Sequence, residues 1–329
     1  MRSLRRCFKN LRQVRRQGGN IFLLLVAVLA IGVGVASMND LLQRWEAADR
    51  ARLSATGLKK PETVHVLASV AKVKDAFSNA GYELDAVRRG KIDVPRVRLA
   101  SLPYDLPNMR RAQERKAVFL RYMLPYVLEV NDRVRKQRKR MQQLRKKVKA
   151  GHRLGEVESM WLNALFEEYG VTKGDFAALS ARVDTVPVSL ALAQAAVESG
   201  WGRSRFAQEG NAVFGQWTTT DQKGMVPKKR EEGRNHKVRA FDSLKKSVEA
   251  YLRNLNTHRA YRDFRKTRAA MRRDDKPLDS MALAATLLSY SEKGEDYVKL
   301  LHHIITRNDL SDLDDARLGD SVLKIRPDV

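Results

Sequence analysis

The pattern of apolar and polar positions divides the 329-residue chain into one long apolar run and a series of amphipathic segments. Residues 21–38 form a run of 18 uncharged, mostly apolar residues, just long enough to cross a bilayer as a helix. From residue 108 onward, apolar residues recur at helical spacing in several stretches bounded by Gly, Pro or capping residues. Residues 218–241 break this pattern with short strand-like runs and turn glycines, which predict a β-hairpin. The chain is therefore predicted to be mainly α (α+β), with one small β element.

This patterning predicts six segments along the chain. They are a basic N-terminus (1–20), an apolar span (21–38), a linker with short helices (39–107), a basic helical segment (108–154), a main domain (155–307) and a tail that is expected to be weakly ordered (308–329). Part of the linker, residues 82–107, is expected to be extended because it contains three prolines. The helix that begins near Asn108 is expected to be interrupted at Pro125 for the same reason.

The charges in front of the apolar span predict its orientation in a membrane. Seven Lys/Arg residues and no acid precede residue 21, and positive charge is retained on the cytoplasmic side. The N-terminus is therefore expected inside the cell, and everything after residue 38 outside the cytoplasm. A signal peptide cleaved after Ala36 is the alternative, although the length of the run favours a retained single-pass anchor.

The net charge of +25 and the few cysteines and histidines restrict the possible partners and chemistry. A basic chain can bind nucleic acid, membrane surfaces or anionic polymers. Because the chain is expected to be exported, nucleic acid is not expected as a partner. The run Arg133–Lys149 holds ten Lys/Arg and no acid, so it forms either a solvated helix face or a binding surface for anionic envelope polymers. Cys7, the one cysteine, lies ahead of the span, and the six histidines lack metal-ligand spacing. No metal or organic cofactor is expected.

Residues 187–199 are predicted to form the most apolar helix of the main domain, with Asp184 or Thr185 as its cap. The one acid of this helix, Glu198, lies in the last turn. The helix dipole and the apolar neighbours both disfavour a charged carboxylate there, so the pKa of Glu198 is expected to be raised. A protonated carboxyl in an open cleft is what a glycosidase needs as its general acid. A solvated Glu at a fraying helix end is the alternative.

The run AQAAVESGWGRS, followed by NAVFG, resembles the core motif of the bacterial endo-β-N-acetylglucosaminidases that cut peptidoglycan, including the flagellar and autolysin types. The order of charged and aromatic segments is most similar to the Bax-type branch of that family. The resemblance implies a lysozyme-like helical domain with a small β-hairpin at its cleft, and it makes Glu198 the catalytic acid. It also implies peptidoglycan glycan strands as substrate. With the lipid bilayer bound through residues 21–38, the protein would be anchored in the bacterial inner membrane with its catalytic domain in the periplasm.

The resemblance also suggests the remaining site residues. Relatives often carry a second acid on the hairpin, for which this chain offers Glu231, Glu232 and Asp221; Glu231 ranks first, and the substrate's own N-acetyl group is the alternative. The stretch LLSYSEKGEDYVKLL resembles the family's Tyr-x-x-Asp-x-x-Tyr segment, which makes Tyr290 an active-site residue. Lys293-Gly294 replaces the family's Asp-Pro, and the loop is longer. The candidates for substrate binding are Gln194, Trp201, Asn211, Phe214, Gly215, Trp217 and Tyr297.

Together these features predict a membrane-anchored glycoside hydrolase that cleaves the β-1,4 bond after N-acetylglucosamine in peptidoglycan. A muramidase or lytic transglycosylase shares the helical core and its helix-terminal Glu, so local chemistry leaves both open. A non-catalytic wall-binding or scaffolding protein is the alternative from a different class. The presence of Glu198 and of the complete turn at residues 211–215 favours catalysis.

Overall fold

The computed structural model describes residues 68–218, 224–226, 237–323 and 325. All of them belong to the second of two units into which the chain divides, Thr63–Val329. The helices are α1 (Val70–Asn79), α2 (Leu84–Arg88), α3 (Ala112–Lys149), α4 (Glu156–Glu168), α5 (Phe176–Arg182), α6 (Val188–Ser199), α7 (Arg205–Gly210), α8 (Leu244–Thr257), α9 (Arg262–Arg273), α10 (Ser280–Ala284) and α11 (Glu295–Arg307). Short 3₁₀ turns occur at Leu106–Asn108, Arg259–Tyr261, Leu288–Tyr290 and Leu310–Leu313. The strands are β1 (Val94–Arg96), β2 (Trp217–Thr218), β3 (Gly224–Met225), β4 (Lys237–Arg239) and β5 (Leu318–Val322).

The described residues form a mainly helical protein with two small sheets, which confirms the predicted class. The predicted β element is present as a three-stranded antiparallel sheet in the order β2-β4-β3. A second sheet pairs β1 with β5 in parallel, with Val94 opposite Leu318. The tail was predicted to be weakly ordered, and this is wrong for residues 310–323. Leu310 and Leu313 are buried, so apolar burial holds this segment against the core.

Residues 68–107 pack into the same hydrophobic core as the helices that follow. Phe77, Tyr82, Val94 and Leu106 are buried there together with the apolar residues of α6. The expectation of an extended linker over residues 82–107 is therefore wrong. Its helices and strand are too short to show a period, and distant elements complete their packing.

Helix α3 continues through Pro125, so the predicted interruption is also wrong. A proline lacks the N–H that would bond to the carbonyl four residues earlier, which here belongs to Arg121. The hydroxyl of Tyr82 donates a hydrogen bond to that carbonyl oxygen at 3.1 Å. Because the acceptor has found another donor, the break in the helical hydrogen bonding costs less and the helix persists.

Helix α6 lies at the centre of the core, where ten of its twelve residues are buried. Its cap differs from the predicted one. Asp314 accepts hydrogen bonds from the backbone N–H of Ser189 at 2.8 Å and from the Ser189 hydroxyl at 2.7 Å. Asp184 instead pairs with Arg272 at 3.1 Å. Gly200 ends the helix in the left-handed conformation with φ 57°, as such a terminus requires.

Within the part of the chain that the structure describes, no helix is both long and apolar enough to span a bilayer. The predicted span at residues 21–38 lies outside the described residues.

Candidate active site

Glu198 lines a cavity of about 650 Å³. Gly215, Tyr261 and Tyr290 line it as well, from the turn after α7 and from two 3₁₀ turns. Arg133 of α3 also reaches this cavity. The basic segment 108–154, predicted as separate from the main domain, therefore contributes to the cavity wall.

The two carboxyl oxygens of Glu198 have different surroundings. Oε1 accepts a hydrogen bond from the Tyr297 hydroxyl at 2.7 Å. Oε2 lies beside Gly215, where a Cβ atom built on the glycine would stand only 3.2 Å from it. The missing side chain at this position keeps Oε2 approachable.

The pKa of Glu198 is raised, in the direction predicted from the sequence. Burial is the largest cause, because it disfavours the charged carboxylate. The hydrogen bond from Tyr297 and the positive charge of Lys293 act in the opposite direction and only partly offset it. A half-buried carboxyl of this kind keeps its proton to higher pH than a solvated one, which suits a proton donor.

Tyr297 and Gln194 lie behind Glu198, outside the lining of the cavity. Tyr297 is 2% exposed and Gln194 is fully buried. Gln194 Nε2 donates to the Tyr297 hydroxyl at 3.1 Å, and the Tyr251 hydroxyl donates to Gln194 Oε1 at 2.7 Å. The prediction that Gln194 and Tyr297 bind substrate does not fit this placement. Both are buried in the core, where Tyr297 bonds to the carboxyl of Glu198 and Gln194 bonds to Tyr297. Tyr251 was missed, because on the amphipathic α8 it reads as an ordinary core residue.

Tyr290 lines the cavity, as expected of an active-site residue. Its hydroxyl donates to the backbone carbonyl of Phe214 at 3.2 Å. Its ring stacks on that of Tyr297, with centroids 5.6 Å apart and planes 3° apart. Burial raises the pKa of Tyr290 well above its ordinary value, so the hydroxyl stays protonated. Tyr290 thus shapes the wall beside the acid without bonding to it.

The turn from Asn211 to Gly215 is held by its own buried groups. Asn211 adopts a left-handed conformation with φ 52°, and its side-chain amide donates to the Phe241 carbonyl at 3.0 Å. Phe214 is 2% exposed and stacks on Tyr251 with ring centroids 4.0 Å apart. Asn211 therefore fixes the turn rather than binding substrate, whereas Phe214 and Gly215 lie in the cavity wall.

The structure does not bring every predicted residue to this cavity. Trp201 packs its ring on Phe119 of α3 at 5.9 Å, with the Lys116 ammonium 4.9 Å from its centroid, away from the cavity lining. The backbone of Trp217 pairs with Val238 in the three-stranded sheet. Glu231, Glu232 and Asp221, the candidates for the second acid, lie outside the described residues. Among the residues described, no group of three or more His, Cys, Asp or Glu is placed to hold a metal ion.

Known proteins match the part of the chain that carries these residues. Residues 174–310 match the glucosaminidase family, described as mannosyl-glycoprotein endo-beta-N-acetylglucosaminidase. The chain is 33% identical over 204 residues to the protein Bax of Escherichia coli (strain K12), an alignment that covers 60% of this chain and 71% of the relative. Among solved structures, the catalytic domain of the autolysin Auto from Listeria monocytogenes matches at 20% identity, covering 53% of this chain and 97% of that domain. The TM-score of this match is 0.32.

Proposed function

We propose a reaction for this chain, which belongs to the Bax-like glucosaminidase family and is a glycoside hydrolase. It cuts peptidoglycan glycan strands, and Glu198 is the general acid. The bond cleaved is the β-1,4 bond after N-acetylglucosamine. The observation that carries the proposal is the carboxyl of Glu198 itself. It is half-buried in a cavity wall, its pKa is raised, and one of its oxygens is left approachable beside Gly215.

Proton transfer begins from the neutral carboxyl. The proton leaves Glu198 for the glycosidic oxygen, the bond from that oxygen to the sugar's C1 breaks, and the electrons of the bond pass to the leaving oxygen. The positive charge that develops at C1 is then met by a water molecule, which adds its oxygen to C1 and releases a proton. The hydrogen bond from Tyr297 to Oε1 stabilises the carboxylate that remains.

A second group must activate the water or stabilise the charge at C1. Glu231 ranks first for this role, on the strength of the family resemblance alone. The substrate's N-acetyl oxygen is the alternative, since it can approach C1 without a second carboxylate. The two routes differ in their dependence on Glu231, which makes them separable by a substitution.

The rings of Tyr290 and Tyr261 provide the apolar surface that sugar binding needs. Both line the cavity, and their centroids lie 5.8 Å apart. Sugars present apolar C–H faces that aromatic rings cover, while neighbouring polar groups bind the hydroxyls.

The same proposal includes the architecture and the location of the enzyme. We place a lysozyme-like catalytic domain in the periplasm, held to the inner membrane through residues 21–38. The run Arg133–Lys149 is proposed to bind anionic envelope polymers. Five of its ten cations already pair with carboxylates (Arg133, Arg135, Lys136, Arg138 and Lys147). Polymer binding would therefore depend on the other cations, including the exposed Lys139, Lys146 and Lys149.

Digestion of purified peptidoglycan by the detergent-solubilised full chain tests the proposal, with the new sugar ends identified by mass spectrometry. Reducing-end N-acetylglucosamine is the expected product. Reducing-end N-acetylmuramic acid would instead identify a muramidase, and the anhydro form of that sugar a lytic transglycosylase. Binding without any cleavage would leave a wall-binding protein.

A further inference from the structure

Three side chains behind Glu198 form a chain of hydrogen bonds that all run in one direction. The Tyr251 hydroxyl donates to Gln194 Oε1 at 2.7 Å, and Gln194 Nε2 donates to the Tyr297 hydroxyl at 3.1 Å. The Tyr297 hydroxyl then donates to Glu198 Oε1 at 2.7 Å. Tyr251, Gln194 and Tyr297 are all buried, so solvent does not supply alternative partners.

The amide of Gln194 determines this direction, because its oxygen only accepts and its nitrogen only donates. With the NH₂ group directed at Tyr297, the single hydroxyl proton of Tyr297 is free to point at Glu198. With the amide reversed, Tyr297 would donate to Gln194 and leave Oε1 without a donor. A tyrosine hydroxyl can donate or accept; in this structure that of Tyr251 donates to Gln194 Oε1 and so stabilises the first arrangement.

We propose that Gln194 and Tyr251 are positioning residues that keep the acidic proton of Glu198 on Oε2, the oxygen beside Gly215. A proton on Oε1 would require Tyr297 to accept, and the buried chain would have to reverse. The inference rests on the function proposed above, since it assigns the side of the carboxyl from which the proton leaves. The proton passes from Oε2 to the glycosidic oxygen, while Oε1 keeps the hydrogen bond from Tyr297.

Few other ionisable groups act on this carboxyl within the described residues. Lys293 is the cation whose charge reaches it. The neighbouring tyrosines titrate far above neutral pH, because burial raises the pKa of each. They are Tyr251, Tyr261, Tyr290 and Tyr297. A change in the alkaline limb of the activity profile, below the range in which these tyrosines titrate, therefore reports on Glu198.

The test is Tyr251→Phe, which removes one hydroxyl, adds no charge and keeps the ring that stacks on Phe214. We expect kcat to fall roughly tenfold, a fraction of what a general acid supplies, with KM unchanged because Tyr251 lies outside the cavity lining. The alkaline limb should move to higher pH, since the Tyr297 bond that lowers the pKa of Glu198 is formed less often. Tyr126→Phe is the matched control, because it removes an equally buried hydroxyl that donates to the Leu99 carbonyl at 2.6 Å.

A Tyr251→Phe enzyme with the kcat and alkaline limb of the Tyr126→Phe control would overturn the inference. If Tyr251→Phe does not fold, Tyr297→Phe removes the donor to Oε1 itself and must shift the limb to higher pH, because the hydrogen bond that lowers the pKa of Glu198 is lost. The proposed function fails by a different result, namely full activity in a folded Glu198→Gln variant.

The charge of the cavity carries a second inference. Within the described part of the chain, four cations line it (Arg133, Arg239, Lys246 and Arg253), along with the acids Glu168, Glu198 and Glu249. Arg133 and Lys246 share the carboxylate of Glu249, at 3.1 and 3.0 Å. Among the described residues, neither Arg239 nor Arg253 is ion-paired with a carboxylate, and the Arg239 guanidinium lies 5.0 Å from the centroid of the Phe241 ring. With Glu198 held towards its neutral form, the described residues that line the cavity carry more positive than negative charge.

The sugar rings of a glycan strand carry no charge, so carboxylates that meet these arginines must come from substituents on the rings. We infer that the part of the cavity lined by Arg239 and Arg253 takes carboxylate groups carried on the strand, as on its acidic peptide substituents. This inference rests on the proposed function and narrows its substrate to peptide-bearing strands. The two arginines come from β4 and α8, so the site is formed by separate elements of the fold.

The test compares cleavage of peptide-bearing glycan with cleavage of the same glycan after its peptide carboxylates have been converted to amides. We expect wild-type kcat/KM to favour the form with free carboxylates by about fivefold at low salt, the limit for an exposed ion pair, and less at high salt. Arg253→Gln should reduce this preference, whereas Arg273→Gln, an exposed arginine away from the cavity, should leave it unchanged. Equal cleavage of both glycans would overturn the inference with the proposed function intact. Cleavage of neither would overturn both.

Discussion

Gly215 and Glu198 approach so closely that a single methyl group on the glycine would crowd the acid. The added Cβ would stand 3.2 Å from Oε2, closer than an ordinary van der Waals contact. Gly215 also has φ 60°, a conformation that glycine adopts without the cost other residues meet. The close contact with Oε2 and the positive φ are therefore two separate reasons why glycine is favoured at position 215.

Gly215→Ala should lower both activity and stability. The methyl group obstructs the approach to Oε2, and the left-handed conformation costs an alanine about 1–2 kcal/mol. Gly81→Ala separates the two effects, because Gly81 also has φ 60° but nothing within 4 Å of an added Cβ. Thermal melting should show a similar loss in both variants, while peptidoglycan cleavage falls only in Gly215→Ala. Equal activity in the two would mean that Oε2 is not the reacting oxygen.

Glu198→Gln should abolish most of the activity while leaving the fold intact. The amide keeps the shape of the side chain and an oxygen that accepts from Tyr297, but it has no acidic proton. The loss of a positioned general acid lowers the rate by about a hundred- to ten-thousand-fold. Initial rates on peptidoglycan measure it, with circular dichroism to check folding. Glu231→Gln should lose less if the substrate's N-acetyl group assists.

The stability difference between the wild type and Glu198→Gln should depend on pH. The folded pKa of Glu198 is raised above its ordinary value of 4.5, so the folded state holds this proton more tightly than the unfolded state does. Its contribution to stability is fully present below pH 4.5 and is lost as the pH rises through the folded pKa. In urea unfolding from pH 4 to pH 8, the free energy of unfolding of the variant should therefore increase relative to that of the wild type as the pH rises. A difference that stays constant with pH would contradict the raised pKa.

Tyr290→Phe should reduce activity by less than Glu198→Gln. The substitution removes the hydrogen bond to the Phe214 carbonyl but keeps the ring in the cavity wall. A lost buried hydrogen bond of about 1 kcal/mol corresponds to a decrease of several-fold in kcat/KM if it holds the wall in place. Tyr122→Phe controls for general destabilisation. It removes a hydroxyl that donates to the Ser101 carbonyl, and neither residue lines the cavity. An unchanged rate of peptidoglycan cleavage in Tyr290→Phe would mean that the Tyr290 hydroxyl has no part in catalysis and that the residue serves only in packing.

Residues 21–38 should hold the full chain in the membrane. The run is uncharged and long enough to span, and seven basic residues precede it. A reporter enzyme joined after residue 60 should be active only outside the cytoplasm, and the chain should remain with membranes after an alkaline wash. A shortened, soluble product would show that the segment is removed as a signal peptide.

The sequence predicted the local part of the site better than its long-range contacts. The apolar run of α6, its terminal Gly200 and the position of Glu198 follow from residues that are neighbours in the chain. The Asp314 cap of α6 lies 125 residues from Ser189, so no local signal reveals it. The role of Tyr251 was hidden for a related reason. Its spacing on α8 is that of a core residue, and only the fold brings its hydroxyl to Gln194.

The continuity of α3 depends in part on the Tyr82 hydroxyl, and Tyr82 lies well before residue 174, where the family match begins. The buried faces of Phe77 and Leu106 lie in that earlier stretch as well. A fragment cut to the family boundaries would expose the apolar side chains that these residues cover, and it would lose Arg133 from the cavity wall. Residues 174–310 alone therefore leave out part of the hydrophobic core. In this chain, an insertion, fusion or domain exchange placed at residue 174 would divide that core.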